Sequence, residues 1–278
     1  MLKKCLKYDF KAPFRLWLIF SIIFMSIAVV SGFALSGLDS ENGILTLLSG
    51  LSILPGYFAV IAYPMAIIII LIARCYTSFF TDEGYLTFTL PVRRRTLLHS
   101  KLISAWCYMT ATLIVVAIGL LTAFGIMSLI GKTNELGEFF SMIGTSLSGL
   151  VSDGGFHGVM VIVTSLLAAL LSGVYSLIWA YFCIVFGAML AKRLKLLSVI
   201  LTFYIGEMII STIASIVGIF GMFTLVATTE YLTEFMSIHE RYAMTWLVIL
   251  CASAVIAVVS SLFYRYTVAK LERDLNLA

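Results

Sequence analysis

The segment EGYLTFTLPVRRRTLLHSKL, Glu83 to Leu102, decides how this chain is read. It is the longest stretch that a bilayer would reject, and it lies between two long apolar runs. It holds a glycine, a proline, three consecutive arginines, then two leucines and a lysine at helical spacing. Around it the chain is mostly oil: of 278 residues, 62% are hydrophobic and 12% charged, with mean hydropathy +1.09. Soluble domains carry about 45–50% apolar and about 25% charged residues. A water-soluble globule of this length has too much surface to hide such an excess, so most of the chain is expected to be solvated by lipid.

A helix needs about 20 apolar residues to cross about 30 Å of hydrocarbon. Six runs meet that test, at about 14–36, 51–73, 102–130, 159–191, 196–227 and 243–264. The expected fold is an all-α membrane protein, a single transmembrane domain over 1–278 with six transmembrane helices. The fourth and fifth runs exceed one crossing, an excess that tilt, extension past the bilayer or a bend back into it absorbs. The first apolar run, after Arg15, is too long for a cleavable signal and reads as a retained span.

Basic residues give the orientation. Lys3, Lys4, Lys7, Lys11 and Arg15 precede the first span, and Arg74, Arg93, Arg94, Arg95 and Lys101 lie between the second and third. Lys192, Arg193 and Lys195 lie between the fourth and fifth, and Arg265, Lys270 and Arg273 follow the sixth. The other three loops hold only Lys132 and Arg241. By the positive-inside rule both termini are expected on the cytoplasmic side of a cell membrane. Glu83–Leu102 is then a cytoplasmic loop. The acidic residues of the outer loops, such as Glu135, Glu138, Asp153 and Glu240, read as solvated surface.

Two segments are patterned for the inner face. In residues 1–13, Lys4, Lys7 and Lys11 share a helical stripe that Arg15 continues, opposite Leu2, Cys5, Leu6 and Phe10. This predicts an interfacial amphipathic helix with its charges toward anionic lipid headgroups. Pro13 is expected to break it before the first span. In the second, the coupling segment 78–101, Pro91 suits the first turn of a helix, where its missing N–H is no loss. Leu97, Leu98 and Leu102 then fall on one face, with Arg93, Arg94 and Lys101 toward the others. A short cytoplasmic helix running into the third span is expected.

This arrangement of span, Glu-Gly, Pro, basic cluster, Leu-Leu, Lys and span resembles the permease subunits of ABC-2 type ABC transporters. The matching positions are Glu83, Gly84, Leu86, Pro91, Val92, Arg94, Leu97, Leu98 and Lys101, with Arg93 and Arg95 completing the basic cluster. The architecture matches over the whole chain and the motif over about twenty residues. The Gly-to-Pro spacing is shorter than the family's commonest pattern, which points to a divergent bacterial subfamily. The resemblance implies a coupling helix between spans two and three that docks on a separate ABC-type ATPase subunit. It also implies a second permease copy or paralogue, as a homodimer or heterodimer. Export would be driven by ATP hydrolysed in the partner, with no cofactor in this chain and no nucleic acid. By the same analogy the long fifth run would hold a re-entrant outer hairpin bent near Gly218–Gly221.

Other chemistry finds little purchase. GIMSLIGKT, Gly125–Thr133, has five residues between its glycines where a phosphate loop requires four, and no strand is expected before it. His99, His157 and His239 do not converge on a metal or a nucleophile, and no catalytic residue is expected. Cys5, Cys75, Cys107, Cys183 and Cys251 form no CxxC pair and read as small buried apolar residues. Glu207, in FYIGEMII, is the one acid within a span. Such a group is either paired structurally or lines a translocation path. Two rival functions remain open: an ion-coupled secondary carrier, which would show inverted repeats and charged midplane residues, and a non-transporting immunity or sensor protein.

Overall fold

The computed structural model describes residues 2–36, 43–80, 94–131, 134–190, 194–232 and 237–273. These form six helices in chain order: α1 (Leu2–Ser36), α2 (Gly43–Phe80), α3 (Arg94–Gly131), α4 (Glu135–Leu190), α5 (Lys195–Leu232) and α6 (Ile238–Arg273). No strand occurs among the described residues. All six helices are long and apolar enough to cross a membrane. Helix is what an apolar solvent demands, because it satisfies each backbone N–H and C=O within the segment.

The chain divides into two compact units, Met1–Thr145 and Ser146–Ala278. In the first, α1 packs along α3 and α2. The packing is close because the contact positions are small. A Cβ added to Gly32 would lie 2.8 Å from the Ala123 carbonyl oxygen, and one on Gly119 would lie 2.5 Å from the Phe24 ring. Close backbone approach of this kind takes the place of a hydrophobic drive, since lipid tails are as apolar as the helices. Polar side chains join the seam: Trp17 Nε1 donates to Thr112 Oγ1 at 3.1 Å, and Ser21 Oγ and Tyr63 O–H share a hydrogen bond of 2.7 Å.

In the second unit the later part of α4 packs on α5 and α6. A Cβ on Gly187 would lie 2.6 Å from Val199 Cα. Phe182 stacks on Phe186 with ring centroids 5.6 Å apart and meets Phe263 at 4.8 Å and Tyr266 at 5.5 Å. At the opposite end Trp246 Nε1 donates to His157 Nδ1 at 3.2 Å. Within each unit, the helix ends that meet on one side are the ones carrying the basic flanks.

Three expectations need correction. Helix α1 does not end at Pro13 but runs through it from Leu2 to Ser36. The proline withholds an N–H from the preceding turn and crowds it. Other carbonyls of that turn are held by neighbouring helices: Tyr108 O–H donates to the Phe10 carbonyl at 2.5 Å and Arg74 Nη2 to the Ala12 carbonyl at 2.7 Å. Helix α5 passes through Gly218–Gly221 without a bend. The bend lies in α4, at Gly155, with φ 52° and ψ −127°, a conformation open to glycine and strained for other residues. The third correction follows from this bend. Most of the stretch expected as an outer loop before the fourth span is helix, Glu135 onward, and Gly155 joins it to the span. Glu138 thus sits in the first turn of α4. Glu240 caps α6, its carboxylate accepting from the Ser237 N–H at 2.8 Å and from the Ser237 hydroxyl at 3.1 Å, the reach-back half of a Ser-x-x-Glu capping box.

Candidate functional site

Glu83, Gly84, Leu86, Pro91, Val92 and Arg93 lie outside the described residues. Arg94, Arg95, Leu97, Leu98 and Lys101 occupy the first two turns of α3, which continues into the apolar run as one helix. Leu97 and Leu98 are buried, Leu98 to 1% exposure, and Arg95 and His99 are exposed. The leucines therefore hold this helix against its own unit, while Arg95 and His99 lie on its exposed side.

Lys101 lies on the leucines' side of the helix. Its side chain is only 12% exposed, with Nζ 3.1 Å from Asp9 Oδ1 and 5.3 Å from the centroid of the buried Phe79 ring. Asp9 Oδ2 accepts a hydrogen bond from the buried Ser100 hydroxyl at 2.5 Å. One carboxylate on α1 thus accepts from two adjacent residues of α3, and the ammonium it holds covers an aromatic face of α2. With the two carbonyl bonds around Pro13, four side-chain hydrogen bonds tie α1, α2 and α3 together at their basic end. Cys75 is buried in the same region of α2. An ion pair taken from water is costly unless its remaining valences are met, and here Ser100 and the Phe79 ring meet them.

Sequence reading passed over Asp9 because it sits among lysines in what looked like a surface helix. The usable signal was its place: between Cys5, Leu6 and Phe10, on the side turned away from Lys4, Lys7 and Lys11. In the described helix Cys5, Leu6, Asp9 and Phe10 are partly buried, Pro13 is buried, and the four leading lysines and Arg15 are exposed.

Glu207 is exposed on α5 and has no hydrogen-bond or ion-pair partner among the described residues. It is not part of the Asp9–Lys101 cluster. The decoy phosphate loop is helical through Gly131, and no group of three metal-ligating side chains occurs among the described residues. The chain matches no protein-family model, no curated protein and no solved structure.

Proposed function

We propose that this chain is the membrane-spanning permease subunit of an ATP-driven, ABC-2 type exporter, working with a separate ATPase subunit and a second permease copy or paralogue. The observation that carries the reading is the head of α3. The patterned segment 83–102 leads into a helix whose first turns are locked to α1 and α2 through Asp9, Ser100, Lys101 and the buried Leu97–Leu98 pair. A push delivered at the basic segment would reach three packed helices as one body, because they cannot slide independently while the ion pair holds. Coupling through a rigid element with two positions needs such a junction. Both termini and this segment face the cytoplasm of a cell membrane in this reading, and the exposed first-turn arginine meets the ATPase.

The experiment is co-purification with an ABC-type ATPase co-expressed with this chain, before and after replacing Arg93–Arg95 with glutamine. Loss of the ATPase from the complex with the permease still folded supports docking there. Undiminished assembly overturns it, as does labelling of an Arg95→Cys variant from outside intact cells by a membrane-impermeant thiol reagent.

A further inference from the structure

The second unit carries a groove that the coupling reading does not use. It lies between the end of α4 and the start of α5 and encloses about 570 Å³, within the roughly 300–1,000 Å³ typical of ligand sites. Phe182 and Phe186 form one wall, and Leu197, Leu201 and Ile205 the other. The deep end is closed by Trp179 against Gly206, where an added Cβ would lie 2.5 Å from the indole. The Trp179 N–H is buried and has no partner among the described residues.

Two features say what occupies it. From Lys195 to Gly206 helix α5 rises about 16 Å at about 1.5 Å per residue, close to the depth of one leaflet, half of about 30 Å. The shallow end reaches Leu190 and Leu194, next to the half-buried Lys195, and two further basic residues, Lys192 and Arg193, lie nearby in sequence. We infer that the groove holds one acyl chain of an anionic phospholipid, with its headgroup at Lys195 and its chain end against Trp179. Anionic lipids are concentrated in the cytoplasmic leaflet, which is where the basic flanks place this end.

The test uses the full chain with Trp17, Trp106 and Trp246 changed to Phe, leaving Trp179 as reporter. It is reconstituted in phosphatidylcholine bilayers containing a small fraction of chain-brominated phosphatidylglycerol or chain-brominated phosphatidylcholine. Trp179 quenching should favour the anionic lipid, and Lys195→Gln should lower that preference about fivefold, the equivalent of about 1 kcal/mol for one lysine at a membrane surface. Ser198→Leu, which fills the groove, should reduce quenching by both lipids while thermal unfolding stays unchanged. Equal quenching by both lipids, unaffected by Lys195→Gln, means ordinary lipid solvation and overturns the site. Absence of quenching means the groove is covered by protein, and overturns it equally. Neither result bears on ATPase docking, which is read separately.

Discussion

Asp9→Asn tests the anchor most directly. The substitution keeps size and hydrogen-bonding oxygen but removes the charge that holds Lys101 Nζ at 3.1 Å and accepts from Ser100. Hydrogen bonds to charged groups contribute about 1.5–3 kcal/mol each, against about 1 kcal/mol for neutral ones. Two such bonds weaken together, while Lys101 keeps its contact with the Phe79 ring, a cation–π interaction of about 0.5–2 kcal/mol. The pair is also partly wetted, with Lys101 and Asp9 side chains 12% and 20% exposed, so water recovers some of the loss. The net cost of opening the anchor should fall by about 2 kcal/mol. Cys75, 2% exposed nearby, reports it. In a variant whose other four cysteines are replaced, a membrane-permeant maleimide should label Cys75 about 30-fold faster after Asp9→Asn, since about 1.4 kcal/mol is a factor of ten. Lys101→Met should act similarly, and the double variant should cost less than the sum of the two, with a coupling of about 1–2 kcal/mol. Labelling within about twofold of the parent, or strict additivity, would refute the argument that this pair ties α1 to α3.

Three further outcomes follow from the packing. Gly155→Ala should lower stability by about 1–2 kcal/mol, read as earlier thermal unfolding in detergent. The cause is backbone conformation, since the nearest atom to an added Cβ, on His239, is 3.9 Å away. Gly119→Ala should cost about 1–3 kcal/mol by driving a methyl into Phe24, and adding Phe24→Leu should recover part of the loss in the same assay. Glu240→Ala should cost about 1 kcal/mol through loss of the carboxylate that accepts from the Ser237 N–H; hydrogen exchange should speed up at the start of α6 and not at its middle.

Much of the architecture can be read without coordinates. Six apolar runs yield six helices because lipid leaves the backbone few other ways to pair its polar groups, and the basic flanks mark which ends share a side. The Ser-x-x-Glu spacing at Ser237–Glu240 stands in the sequence, but its glutamate was read as loop surface. Pro13 and Gly155 were not legible in their true roles. A proline's effect on a helix depends on whether neighbouring side chains, here Tyr108 and Arg74, can serve the carbonyls around it. A glycine's depends on the φ it adopts, and Gly154–Gly155 looked no more bent than Gly218–Gly221.

What the amino-acid order determined alone is the solvent and the helices: apolar length and the sidedness of lysine and arginine are properties of single segments. What only the packed molecule decided is which charges are structural. Asp9 and Lys101 lie far apart along the chain, on helices that each look like a basic surface. Only when α1 and α3 are laid side by side do the carboxylate and ammonium become one partly buried pair, because attraction between two charges depends on their separation and on the water excluded from between them.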